Sequence, residues 1–151
     1  MKDTYRIYLN SESNDGGTRN DCVFNVRIPN IRDNYEKYEL YVDDFTIEMG
    51  GTTIDSILVN LNNSLQYNSY NSTTKGQNPT IATIFNPNQT GARTADLTLS
   101  YQNSNAPYIL QALPEQMNII ITDVDNATLD LTTNSNFWVL NLRIDAHYTE
   151  N

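Results

Sequence analysis

The chain has 151 residues, of which 38% are hydrophobic, with a formal net charge of -9 and a pI of about 4.3. A chain of this length makes one domain that removes about 68–70% of its unfolded surface from water, so neither metal nor disulfide is needed for folding. The acidic balance and nine dispersed Lys and Arg residues argue against a nucleic-acid surface, and no apolar run approaches the roughly 18 residues of a membrane helix.

The first residues, Met1 to Arg6, lack the apolar stretch and small-residue cleavage site of a secretory signal, so entry into the secretory pathway is not expected. Residues 4–9 alternate Tyr5, Ile7 and Leu9 against Arg6 and Tyr8, the period of a short strand. Residues 10–21 form a polar loop rich in Asn, Ser, Asp and Gly. Cys22, Phe24, Val26 and Ile28 then share one face of a strand over residues 22–28, which Pro29 ends because it has no N–H to donate. Cys22 is the single cysteine and cannot form an intrachain disulfide, which fits synthesis in a reducing compartment. It reads as a small buried apolar side chain.

In residues 38–49, Leu40 and Val42 share one parity while Phe45, Ile47 and Met49 take the other. Such a phase change requires one extra residue, which predicts a β-bulge at Asp43-Asp44. Residues 54–65 carry both helical and alternating spacing. They are read as a strand at 57–61, preceded by a helical turn at 53–56. Residues 66–79 make a long polar loop with Tyr67 and Tyr70, and loops of this length are uncommon without a function.

Short strands follow at residues 80–85 and 96–101, and residues 108–113 read as one more short strand or an extended approach. The nearly continuous apolar run 117–122 predicts a strand covered on both faces. Another short strand at 127–131 leads through a turn to residues 137–148. There Trp138, Leu140, Leu142, Ile144, Ala146 and Tyr148 oppose Asn141, Arg143, Asp145 and His147. Twelve residues at roughly 3.3 Å each make about 40 Å of strand, which needs partners along its whole length. The pattern predicts an all-β sandwich or barrel of antiparallel strands. The 22 asparagines, nearly all between apolar runs, suit turns and polar strand faces.

Motifs for chemistry are few. His147 is the only histidine, which removes most nucleophilic triads and every metal site that needs two imidazoles; it reads as a solvent-facing or interface residue. Asp123-Val124-Asp125-Asn126 begins like a calcium loop, but Ala127 stands at the next ligand position and the glycine is absent. It is read as a hairpin turn. Asp43, Asp44 and Glu48 could in principle supply paired carboxylates, yet the bulge explains the first two. Glycosylation acceptor patterns at Asn62, Asn71, Asn88 and Asn126 are expected by chance in so Asn-rich a chain. Neither a catalytic centre, a cofactor nor a metal is expected. Tyr67, Tyr70, Asn71 and His147 are the candidate interface residues, since exposed tyrosine supplies amphipathic contact area at small entropic cost.

The order of Phe24-Asn25-Val26-Arg27-Ile28-Pro29, Glu39-Leu40-Tyr41-Val42, Ile57-Leu58-Val59-Asn60-Leu61, Asn68-Ser69-Tyr70-Asn71-Ser72, Ile81-Ala82-Thr83-Ile84 and Trp138-Val139-Leu140-Asn141-Leu142 resembles a known pattern. It is that of the small single-jelly-roll penton or minor capsid proteins of large double-stranded DNA viruses, the nucleocytoplasmic type. The resemblance implies a single jelly-roll sandwich of two antiparallel four-stranded sheets over residues 21–151, with residues 1–20 an N-terminal arm or extra strand. It names 22–28 strand B, 38–49 C, 57–61 D, 80–85 E, 96–101 F, 117–122 G, 127–131 H and 137–148 I, with I between B and D. It also implies a structural virion protein that is not an enzyme, made in the host cytoplasm and placed in the capsid. Its partners would be copies of itself, as a homo-pentamer, and neighbouring capsid proteins, with no nucleic acid and no membrane insertion. The alternative reading is a carbohydrate- or receptor-binding β-sandwich, such as a fibre head or lectin-like module, using the tyrosine loop.

Overall fold

The computed structural model describes residues 1–29, 31–49, 56–62, 70–71, 76–77, 79–85, 97–102, 107–123 and 137–150. Its strands are β1 (Lys2–Asn10), β2 (Gly16–Thr18), β3 (Asp21–Asn25), β4 (Tyr35–Met49), β5 (Ser56–Asn62), β6 (Tyr70–Asn71), β7 (Gly76–Gln77), β8 (Thr80–Phe85), β9 (Leu97–Gln102), β10 (Tyr108–Leu110), β11 (Gln116–Thr122) and β12 (Phe137–Tyr148). The helical turn expected at 53–56 has its last residue, Ser56, in β5, and 53–55 lie outside the described residues. So does the strand expected at 127–131.

β12 is the spine of the first sheet, ordered β1-β12-β4-β10, with β9 also paired to β4. β9 runs along Asp44–Met49 and β10 along Tyr38–Leu40, so the two lie end to end on one flank of β4. The second sheet runs β2-β3-β11-β5-β8, and all pairings are antiparallel. Taken in chain order, the eight principal strands β1, β3, β4, β5, β8, β9, β11 and β12 follow the paths 1-8-3-6 and 2-7-4-5. This is a jelly-roll sandwich, with β2 and β10 as short additions.

The strand names implied by the resemblance are corrected: β1 takes the first place, so 22–28, 38–49, 57–61, 80–85, 96–101 and 117–122 each move one place along. The last strand does not lie between 22–28 and 57–61. Its neighbours are β1 and β4, while β3 and β5 flank β11 in the opposite sheet. Length and phase explain the difference. β1 supplies nine residues and β4 fifteen to a twelve-residue strand, whereas β3 has only five. Tyr5, Ile7 and Leu9 also lie opposite Ile144, Leu142 and Leu140, so the apolar sides coincide.

Within the sandwich, Trp138, Leu140, Ile144, Phe45, Ile47 and Leu40 of the first sheet meet Cys22, Ile57, Val59, Leu61, Met117, Ile119 and Ile121 of the second, all fully buried. The Phe24 ring stands edge-on to Trp138 at 5.9 Å between centroids, bridging the layers. Each large side chain buried in this way contributes about 1.5–3 kcal/mol. Tyr108 on β10 reaches across to donate its hydroxyl to the Ile81 carbonyl of β8 at 3.0 Å.

The bulge predicted from sequence is present. Asn141 pairs with Asp44 and Leu142 with Val42, so Asp43 is the extra residue. Leu40 and Val42 before it and Phe45 and Ile47 after it all reach the core. A second irregularity had no such signal: Val59 pairs with Ala82 and Asn60 with Thr80, leaving Ile81 over. Ile81 and Ala82 are both buried, which conceals the phase change.

Three other expectations change. The strand at 22–28 ends at Asn25, and Val26 and Ile28 pack beside the core without joining a ladder. The polar loop at 10–21 holds a single 3-10 turn, Ser11–Ser13, capped by the Asn10 side chain, and then β2. At Gly17, φ is +88°, and a Cβ there would collide with the Asp21 backbone, so only glycine fits this hairpin. In β11, the outward Asn118 and Ile120 are half-buried rather than fully covered.

Candidate functional site: the outer face of the first sheet

From Asn141 to His147 the residues of β12 that alternate away from the core are polar, and Lys2, Thr4 and Arg6 of β1 and Lys37, Glu39 and Asp44 of β4 lie opposite them. Asp145 stands at the centre, only 1% exposed although it faces outward. It accepts from Lys2 Nζ at 2.7 Å, Thr4 Oγ1 at 2.8 Å and Arg143 NH1 at 2.8 Å. Burial by itself would raise its carboxyl, but Lys2, Thr4 and Arg143 outweigh that and hold it below the ordinary value of 3.8.

Arg143 continues the grid. Its Nε lies 3.4 Å from Asp43 Oδ1, and its guanidinium covers the Tyr41 ring at 4.1 Å. Arg6 reaches the other oxygen of Asp43 at 3.7 Å. The bulge therefore turns an acid toward two arginines. Next to it, Asn141 donates to Asp44 Oδ1 at 2.7 Å.

His147 lies on this same face, as its strand parity implied, with its side chain 36% exposed and Nε2 2.8 Å from Glu39 Oε2. Glu39 is shared with Lys37 and Tyr41. The Lys37 ammonium, opposed by burial and aided by His147 and Tyr41, keeps the Glu39 carboxyl low.

At the end of the sheet, Asp3 accepts from the Tyr35 hydroxyl at 2.7 Å and from Arg32 Nε at 2.8 Å. These contacts lower its carboxyl, Tyr35 first and Arg32 after it, against the effect of burial. Tyr35 is raised well above an ordinary phenol by burial, then by its contacts with Tyr5 and Asp3. Arg32 also lies 4.1 Å above the Tyr148 ring.

The second sheet presents amides where the first presents ions. Asn60 donates to Thr122 Oγ1 at 3.0 Å and accepts from Thr80 Oγ1 at 2.8 Å. Asn118 donates to Asp21 at 2.7 Å and accepts from Asn62 at 3.4 Å. Part of the asparagine content thus cross-links strands.

The described sequence-based interface candidates lie on different elements. Tyr70 and Asn71 pair with Gln77 and Gly76 in a two-stranded ribbon separate from both sheets, and Tyr67 lies outside the described residues. Asp43, Asp44 and Glu48 do not converge: the first faces arginines, the second an asparagine, and Glu48 is exposed opposite Phe137. Of the calcium-like stretch only Asp123 is described; among the described residues no three His, Cys, Asp or Glu side chains cluster as metal ligands. Sequence reasoning missed Lys2, Glu39 and Asp145. Their strand parity was visible, but only the order of strands places them side by side. An open groove of about 990 Å³ is lined by residues 25–29, Tyr38 and residues 112–116.

Compared with known protein families and with curated proteins, the chain matches none. Among solved structures it is similar to a chain in the cryo-EM structure of Mud crab tombus-like virus, at 11% identity and a TM-score of 0.30, covering 100% of this chain and 84% of that one.

Proposed function

We propose that this chain is a structural virion protein, a penton or minor capsid subunit that assembles as a homo-pentamer and meets neighbouring capsid proteins through its loops and sheet edges. It performs no catalysis and holds no cofactor. The observation that carries this reading is the jelly-roll strand order itself, in a slab whose first sheet ties Asp145, Asp43 and Glu39 to cations or a histidine of the same chain. On the outer face of the first sheet Glu39, Asp43, Asp44 and Asp145 are each held by a donor of this chain, an arrangement that suits a rigid tile more than a site of proton transfer.

Electron microscopy of the purified protein tests this. Five-fold rings are the expected result. Monomers or trimers that bind a glycan array would overturn the reading in favour of a carbohydrate- or receptor-binding module.

A further inference from the structure

β1 is the edge of the first sheet, and its hydrogen-bond parity can be assigned. Met1 and Tyr148 exchange both backbone bonds, N to O at 2.8 Å and 3.0 Å. In an antiparallel ladder such pairs alternate, and the register Lys2↔His147 to Asn10↔Val139 is unbroken. The odd residues Asp3, Tyr5, Ile7 and Leu9 therefore bond to β12. Lys2, Thr4, Arg6 and Tyr8 turn their N–H and C=O groups outward. Trp138 obeys the same parity: its N–H points to this side, where β1 has turned away, and the Ser11 hydroxyl accepts it at 3.0 Å.

Among the described residues nothing pairs with the outward groups of Lys2, Thr4, Arg6 and Tyr8. All four residues are exposed, Tyr8 by 63%. Edges left open in soluble proteins are commonly blunted by proline, a bulge, a short strand or free charge. β1 has nine residues, no proline and no bulge, and its cations Lys2 and Arg6 are drawn to Asp145 and Asp43 on their own face.

The outward residues restrict which strand fits. Antiparallel pairing of β1 with β1 of a second copy must place even residues opposite even residues. With Thr4 opposite Thr4, Lys2 faces Arg6, and with Arg6 on the two-fold axis, Arg6 faces Arg6; like charges directly opposite are unfavourable. Between these lies the register centred on Tyr5, in which Lys2 faces Tyr8 and Thr4 faces Arg6. No like charges oppose there, and each ammonium meets an aromatic ring.

We propose that two copies of this chain pair antiparallel through their β1 edges, with the two-fold axis at Tyr5, joining their first sheets into one continuous sheet. This inference does not rest on the capsid reading: a two-fold edge contact is compatible with five-fold rings and equally with a protein that forms none.

Sedimentation equilibrium of the full chain, with hydrogen exchange read residue by residue, tests it. The expected result is association in pairs, a dimer where no rings form and paired rings where they do, with the Lys2, Thr4, Arg6 and Tyr8 amides protected on dilution-sensitive terms. Tyr8→Glu, opposite Lys2, should tighten the dimer, and Tyr8→Lys should loosen it, with roughly a ten-fold difference between them for the two symmetric pairs. Tyr8→Pro, which removes an outward N–H, should give a folded monomer by circular dichroism; if it fails to fold, the two charge variants still decide. A wild-type monomer overturns the proposal. So does a dimer with unprotected even-numbered amides, or one equally stable with Glu and Lys at position 8. The last two outcomes leave the five-fold test above untouched.

Discussion

Lys2 Nζ lies 2.7 Å from Asp145 Oδ2, joining residues 143 positions apart and fastening the first strand to the last. The lysine is half exposed, while the carboxylate is almost wholly covered. Removing the acid should therefore cost more than removing the base, because the acid serves Lys2, Thr4 and Arg143 together.

Asp145→Ala is expected to lower stability by about 2–3 kcal/mol, the range for charge-assisted bonds to a covered group. Lys2→Ala should cost about 1 kcal/mol or less, since Thr4 and Arg143 remain. Urea denaturation near neutral pH measures both.

Acid should weaken the fold through the same group. The folded carboxyls of Asp145 and Glu39 sit below their ordinary values of 3.8 and 4.5. A depressed carboxyl adds stability that is present above the ordinary value and is lost as pH falls through the folded one. Denaturation midpoints should fall as pH drops below about 4. The difference between wild type and Asp145→Asn should shrink over that window; a constant difference would show that Asp145 is not the linked group.

Cys22 donates its thiol to the Thr18 carbonyl at 2.9 Å, and burial, with Asp21 nearby, pushes it up to about 12. A thiol raised above its ordinary value of 9.0 stabilises the fold below that value, and the contribution is lost as pH rises toward the folded one. Alkylation near pH 8 should be slow in buffer and rapid in denaturing urea. Fast labelling of the native protein would contradict the buried position.

Trp138 donates its indole N–H to the Arg19 carbonyl at 2.6 Å and its backbone N–H to Ser11. Both acceptors lie in the segment between β1 and β3. Ser11→Ala leaves a buried backbone N–H without its acceptor and should cost about 1–3 kcal/mol. Trp138→Phe leaves a cavity as well and should cost about 2–4 kcal/mol. Thermal or chemical unfolding measures both.

Deleting Asp43 removes the extra residue of β4 and should prevent a soluble fold, because either Val42 or Phe45 must then leave the core. Asp43→Ala keeps the backbone count and should fold, with a loss of about 1 kcal/mol from weakened contacts to Arg143 and Arg6. A deletion variant with wild-type stability would disprove the role of the bulge.

The Asp43 bulge could be read in the chain because apolar residues change parity across it, whereas Ile81 was hidden by a neighbour that is also buried. Tertiary context also shortened the strand after Cys22: Val26 and Ile28 keep the right alternation, yet they leave the ladder and pack beside the core. His147 was legible as an outward residue but not as the partner of Glu39, which lies 108 positions away.

Alternation along each segment determined that this protein is built of strands, which side of each is apolar, and that residues 137–148 form the longest unbroken period, since side-chain direction follows directly from chain position. Which strands lie beside one another was decided only in three dimensions. Strand order depends on matching length, phase and layer closure among segments more than a hundred residues apart. Only that matching put Lys2 over Asp145, Glu39 beside His147, and the open edge of β1 at the rim of the first sheet.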